Sequence, residues 1–403
     1  MIRSSFVIAA ITLSITCAAQ LTWVPCTMPV NTLTHLALGP SGELYTFTTT
    51  NPIQIKVSTD QGLTWQTRPG TGGPNGMLLF DQRFFVTPAG SILFWGNTGI
   101  GTFLWRSDDG GNSFTQLVAP QGVPSGRFFL GFGSSPAGDV YLYGQGVMHS
   151  DDDGLTWTSI ASTSTGIDAL AANTQSVFAL RFGTVYQGAL DGTGFAGTNT
   201  SGALVTDGRA ITDGLNDRMV AVGGTDKVIT TTDNGNLWAA ANTGLGSVPT
   251  EYDRVAASPL ADRWVIAKQI GVRYTDDAGS SWSVAETGLS LAPNEPIQGV
   301  FCDPTGVFYL FGYSHLYRSD ISTGVIEEVE GSTPIWPNPT TGSVNLPLSF
   351  AGTQVEVCDL AGKVVGTHTA SPQGAIDLAG LRPGRYIVRS LDGRLREAVE
   401  LHP

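Results

Sequence analysis

Carboxylates are the main reactive groups of this chain. Asp and Glu number 34, against 21 Lys plus Arg and five His. Two carboxylates about 5 to 9.5 Å apart can cleave a glycosidic bond as acid and nucleophile, or as acid and base. Asp253 and Glu295 are the candidates, by their location in long, varied loops. The histidines (His35, His149, His315, His368 and His402) are scattered, and no Cys/His cluster has metal-ligand spacing. Asp151, Asp152 and Asp153 lack the alternating ligands of a calcium loop and read as a solvated turn. No nucleophile elbow, phosphate loop or Ser/His/Asp order is present. The expectation is no metal, no cofactor and no recognisable catalytic set.

The elements that must position any site come from a repeat. Five strings fit Ser/Thr-x-Asp-x-Gly-x-x-aromatic, running Ser58–Trp65, Ser107–Phe114, Ser150–Trp157, Thr231–Trp238 and Thr275–Trp282. Their aspartates, Asp60, Asp109, Asp152, Asp233 and Asp277, are spaced by 49, 43, 81 and 44 residues. The double interval leaves room for a decayed copy, which residues 184–195 fit, and a seventh begins at Tyr317. An Asp carboxylate accepts nearby backbone N–H groups, Gly supplies positive φ, and the aromatic starts the next strand. The expected role is to staple hairpins. These strings resemble the Asp-box, or BNR, repeat of sialidases, sortilin-type receptors, some xyloglucan-hydrolysing enzymes and photosystem assembly propellers.

A second periodicity agrees. Seven turns, at Pro40, Pro88, Pro136, Asn173, Asp213, Pro259 and Pro304, each precede an apolar strand of four to six residues. Four short strands per unit of 40 to 50 residues is the pattern of a propeller blade. The expected fold class is all-β: a seven-bladed β-propeller over residues 20–332, followed by a small Ig-like β-sandwich over 333–403. Two strands compete to close the ring. Residues 21–26 look like the tail of a box and would lie beside His315–Asp320; alternatively, residues 324–329 fill that place. Cys26 and Cys302 fall in the first and last parts of the ring, either disulfide-bonded or as two isolated thiols.

Residues 1–19 have one positive charge at Arg3, an apolar run from Phe6 to Ile15, and small residues before a cut after Ala19. That is the layout of a secretory signal peptide, and the run is too short to span a bilayer. The net charge is −13, and the imbalance sits between residues 20 and 332, with 14 basic against 28 acidic groups. Such a surface repels phosphate backbones, so nucleic acid is not an expected partner. A chain acting alone is expected.

From residue 333 the character changes. A proline-rich stretch, Pro337-Asn338-Pro339-Thr340-Thr341-Gly342, leads into alternating strands without boxes. Asp359 to Val365, Leu381 to Tyr386, and the basic Arg394 and Arg396 complete the pattern. These pieces, in this order, resemble the C-terminal sorting domain of type IX secretion cargo, a Bacteroidetes system. The resemblance implies a small sandwich that engages the type IX machinery and is then removed or linked to surface polysaccharide. It also implies a secreted or outer-surface protein.

Antiparallel meanders put the boxes and the Pro-x-Gly turns on one face. The longer loops, Thr67–Met77, Val118–Arg127, Ala240–Asp253 and Thr287–Pro296, fall on the other, which suits a binding mouth. Arg68, Trp95, Asn97, Arg127, Tyr252, Asp253 and Glu295 are the candidate ligand-binding residues there. A sialidase would carry an Arg-Ile-Pro motif ahead of the first box; none occurs in the chain, and residues 20–67 hold no arginine. The function expected is a non-enzymatic module binding a glycan or protein, the alternative a divergent glycoside hydrolase of sialidase-like fold.

Overall fold

The computed structural model describes residues 21–48, 50, 53–74, 83–97, 102–117, 129–160, 166–181, 183–197, 208–224, 227–247, 252–268, 271–291, 295–321, 340–346, 350–358, 364–390 and 396–402. The expected signal peptide lies outside these, as do residues 324–329. The chain separates into two compact units, one spanning Leu21–Ile321 and the other containing Ser322–Pro403.

Short apolar runs punctuated by Gly and Pro turns leave no room for long helices, and among the described residues the first unit is built of four-stranded antiparallel sheets with one 3-10 turn at Leu215–Asp217. Sheet I comprises Ala37–Leu38, Leu44–Phe47, Ile55–Ser58 and Gln66–Arg68. Sheet II comprises Arg83–Val86, Ile92–Asn97, Thr102–Ser107 and Thr115–Leu117. Sheet III has Phe129–Ser134, Val140–Gly144, Gly146–Ser150 and Thr158–Ser159. Sheet IV has Ala169–Ala172, Ser176–Arg181, Thr184–Ala189 and Ala196–Gly197. Sheet V contains Gly208–Asp213, Met219–Gly223, Val228–Thr231 and Ala239–Ala240. Sheet VI contains Arg254–Ala257, Trp264–Lys268, Gly271–Thr275 and Ser283–Val284.

Sheet VII is assembled from both ends of the unit. Gly299–Cys302, Phe308–Phe311 and Leu316–Ile321 supply three strands, and Leu21–Pro25 adds the fourth, antiparallel to Leu316–Ile321. Of the two closing strands the sequence allowed, the N-terminal one is used. Cys26 and Cys302 are both free thiols, not a disulfide.

Burial explains the stacking. Second strands such as Leu44–Phe47 and Met219–Gly223 are buried at every position, whereas the fourth strands of sheets IV to VI are exposed. A strand buried on both sides needs a neighbour on each face of its sheet. Separate cores fill the spaces between consecutive sheets. Phe47 and Ile55 meet Phe94 and Trp105 between sheets I and II. Leu93 and Trp95 meet Leu142 and Trp157 between II and III. The same holds for III and IV, IV and V, V and VI, and VI and VII. A last core joins Leu33, Leu36 and Leu44 to Tyr309, Phe311 and Leu316, so sheet VII packs on sheet I and the series closes on itself. First strands of successive sheets lie side by side from I through VII.

The second unit has its own core. Val364–Thr369, Gln354–Cys358, Gly384–Ser390 and Arg396–Leu401 form one sheet; Ser343–Asn345 pairs with Ala375–Asp377. Val344 and Ile376 from the pair pack against Val355, Val357, Val388 and Val399 from the larger sheet.

Candidate functional site

The antiparallel order places the turn after each first strand and the turn after each third strand on one face. Hydrogen bonds tie them together there. Arg106 reaches Asp108 at 2.7 Å and Asp153, in the next sheet's turn, also at 2.7 Å. Asn173 Nδ2 donates to Asn234 Oδ1 across sheets IV and V at 2.8 Å.

The five repeat turns share one geometry. The leading hydroxyl donates to the aspartate and accepts the glycine N–H four residues on, as Ser107 does at 2.8 and 2.9 Å. The aspartate then accepts a second backbone N–H, at 2.9 Å from both Ser113 to Asp109 and Ser281 to Asp277. The residue before each glycine also has positive φ, 59° at Gln61, 60° at Asp153 and 55° at Asn234. Two successive left-handed residues make a type I′-like turn, whose twist matches the strands it joins. Hydrogen bonds led by those from Thr64 hold the Asp60 carboxyl down to about 2. At Asp109, burial opposes but donors led by Ser113 prevail, again to about 2.

These turns also dock one sheet on the previous one, a role the sequence reading did not include. The left-handed residue makes the contact: Asp153 to Arg106, Asn234 to Asn173, and Gln61 Oε1 to Arg318 of sheet VII at 3.0 Å. The closing aromatics fill the space between sheets. The Trp282 indole N–H donates to Ala241 O of sheet V at 2.7 Å, and Trp23 donates to Ala285 O of sheet VI at 2.9 Å. Trp23 thus serves sheet VII as the box aromatics serve the others.

The residues expected at a mouth do not converge. Trp95 and Tyr252 are core residues, 2% and 0% exposed, and present no surface to a ligand. Arg68 ends the outer strand of sheet I and donates to Asp109 O of sheet II at 3.4 Å. Asp253 is half-buried and 3.7 Å from Arg254. Glu295 accepts the Ser314 N–H at 2.7 Å and lies 2.6 Å from His315 Nδ1. Ser314 Oγ contacts the same imidazole nitrogen at 2.8 Å, so the ring cannot relay a proton between Glu295 and Ser314. Arg127 and the Asn97 side chain lie outside the described residues. Near this end of the first strands, burial raises the Tyr143 phenol despite Arg83 and Arg254, the opposite of an activated nucleophile.

A cavity of about 690 Å³ opens instead on the face that carries the turns. Six sheets line it, mainly through first strands and the turns that follow, which puts it where those strands come together. Its wall is largely apolar: Leu38, Ile211, Val255, Ala257 and Val300. Asp213, the last residue of the first strand of sheet V, brings a carboxyl to it. Burial, then the nearby Asp217 charge, raises this carboxyl to about 6 although its own backbone N–H pulls the other way. Asp217 itself is held below the usual carboxylate range: burial opposes, but donors from Gln175 and Thr174 prevail. A single turn signal at Asp213 marked this place in the sequence; its partners each come from a different repeat. Among the described residues no group of His, Cys, Asp and Glu could hold a metal ion.

Residues 334–398 match the secretion system C-terminal sorting domain. A protein bearing this sorting domain is delivered by the type IX system to the cell surface or beyond. No helix among the described residues is long and apolar enough to cross a membrane. No curated protein matches the chain. Among solved structures, YCF48 bound to a D1 peptide aligns at TM-score 0.55 and 12% identity, over 76% of this chain and 96% of that one. The WD40 β-propeller domain of Doa1 aligns at 0.51 and 11%, over 74% and 95%. A fungal alcohol oxidase of the AA5 family, in complex with copper, aligns at 0.57 and 11%, over 96% and 100%. At such identities the likeness is one of fold, and that fold is propeller-like.

Proposed function

We propose that the chain is an exported seven-bladed β-propeller that binds a ligand without transforming it. Sheets I to VII are the blades, the repeat turns are Asp boxes, and residues 340–402 form an Ig-like sandwich. Residues 1–19 are the signal peptide, residues 20–332 the propeller region, and residues 333–403 a removable address for the type IX machinery. The mature protein acts as a monomer.

The observation that carries the binding reading is the cavity shared by six sheets. A concave, mostly apolar site of 300–1,000 Å³ with few polar groups is the usual form of a small-ligand site. The ligand is a glycan, a peptide or another protein's side chain. Peptides belong beside glycans on any panel, since YCF48 was solved with one bound. The binding reading is favoured over a glycosidase because Glu295 is spent on Ser314 and His315, and Asp253 sits against Arg254.

The test is a glycan and peptide array on the mature protein, run beside a fluorogenic glycosidase panel. Leu215 lines the cavity from the short 3-10 turn Leu215–Asp217, where it is only half-buried, so Leu215→Trp should abolish array binding while leaving the melting temperature within about 2 °C. Turnover of any glycoside by the wild type, or undiminished binding by the variant, would overturn the reading.

A further inference from the structure

Charge at the cavity is one-sided. Among the described residues, its lining holds two acids, Asp213 and Asp217, and no Lys, Arg or His. Asp217 is saturated: it accepts the Thr174 N–H at 3.0 Å, the Thr174 hydroxyl at 2.7 Å and the Gln175 amide at 2.9 Å. Asp213 has no side-chain partner of this kind among the described residues. The same lining carries Ile211, Val255, Ala257 and Val300. An ionised carboxylate against such a wall loses hydration without gaining a partner, an arrangement that costs stability unless something completes it.

We propose that this cavity is a site for organic cations: an apolar body lies against Ile211, Val255 and Val300, and a protonated amine pairs with Asp213. The proposal rests on the binding reading above and names the ligand class for that same cavity. A primary ammonium or a lysine side chain on a partner peptide has the right chemistry. A sugar without an amine does not. The cation would add the charge-assisted hydrogen bond that Asp213 lacks, and would draw its carboxyl back to the ionised form.

The groups facing Asp213 leave it as the titrating member of the site. On its own sheet Asp217 stays ionised through the donors named above, and Arg218 is turned to an ion pair with Asp262. Among the described residues, sheet VI contributes Val255, Ala256, Ala257 and Pro259. Sheet VII contributes the Cys302 thiol, which burial pushes well above its ordinary value and so keeps neutral. Sheets I, III and IV add Leu38, Gly39, Pro136 and Thr174. Binding of a cation should therefore strengthen as pH rises through about 6.

The experiment is a fluorescence titration of the mature full chain with two probes. Dansylcadaverine carries an apolar ring and a primary amine; dansylamide carries the ring alone. The amine probe is expected to bind the wild type about tenfold more tightly than the neutral probe at pH 7.5, equivalent to one ionic contact. The preference should fall towards unity by pH 4.5. Asp213→Asn should erase the preference at every pH while keeping affinity for dansylamide, which shows that the cavity survives. Equal binding of both probes by the wild type, or a preference that persists in Asp213→Asn, overturns the cation inference alone. If neither probe binds the wild type, the cavity reading falls with it.

Discussion

At the residue scale, each repeat aspartate closes a small ring of donors. Asp277 accepts from Thr275 Oγ1 at 2.6 Å, from Ser281 N at 2.9 Å and from Ser281 Oγ at 2.7 Å. Asp277→Ala should therefore cost about 1–3 kcal/mol, read from denaturant midpoints, because those donors lose a ready-made acceptor. The pH dependence has a definite sign. Burial opposes ionisation of Asp277, but donors led by Ser281 and Thr275 outweigh it and the carboxyl is lowered. A lowered carboxyl contributes stability that is complete above about pH 4, the unfolded value, and is lost as pH falls through its folded value. The gap between wild type and variant should thus be constant from pH 7 to about 5 and shrink below about 4. A gap unchanged down to pH 2 would contradict the donor account. The repeat spelled out this ring in advance, since hydroxyl, Asp and Gly stand at fixed offsets. It did not reveal Gln61, Asp153 and Asn234 as docking residues, because that position varies in type and only its left-handed φ is constant.

At the scale of elements, the outer strand of one sheet continues into a segment that receives the next sheet's aromatic. Thr243 O accepts from Trp282 N at 2.9 Å, and Thr287 O accepts from Trp23 N at 2.9 Å. In both cases a Gly follows, and it lies against the same tryptophan's carbonyl oxygen. A Cβ on Gly288 would come 2.0 Å from Trp23 O, and its φ of 85° is already unfavourable for other residues. Gly288→Ala should cost about 2–4 kcal/mol in equilibrium unfolding, more than an ordinary exposed glycine substitution. A change under about 0.5 kcal/mol would mean that this segment does not hold sheets VI and VII together. The recurring Thr-Gly-Leu at 243–245 and 287–289 was visible in the sequence, but two copies gave no period. Strand positions were legible because turn residues and alternation recur in every unit, whereas the Leu21–Pro25 pairing was one of two closures that the sequence left open. Exposure was not. Tyr252 sits on the chain between an outer strand and the next first strand, which reads as a loop, yet that crossing passes over an inter-sheet core. Trp95 likewise points into a space that exists only once sheet III has packed on sheet II.

At the scale of the whole molecule, the two units divide labour: one carries the cavity, the other the export signal. The second unit's own buried core lets it fold as an address without borrowing from the first. Deleting residues 333–403 should leave the rest trapped in the periplasm of a type IX host, checked by fractionation and surface protease treatment. Delivery of the truncated chain to the surface would refute the sorting role. The tail was legible because its motifs fall in a fixed order; the cavity was not, because six repeats each lend it only a few residues.

Sheet VII also sets an order of events in time. Six sheets are complete within a single unit of neighbouring sequence, but Thr22 bonds Asp320 from 298 residues away. Bringing such distant segments together carries a loop-closure penalty that no local hairpin meets. Leu21–Pro25 is among the earliest described segments to emerge during synthesis and must wait for the last strand before it has a partner. Until then the surface that accepts Trp23, beside Ala285 and Val272, faces water as an open apolar seam. The nascent protein is thus sticky at both ends of its first unit for as long as its synthesis and threading last. Closure of sheet VII is the moment at which that hazard ends.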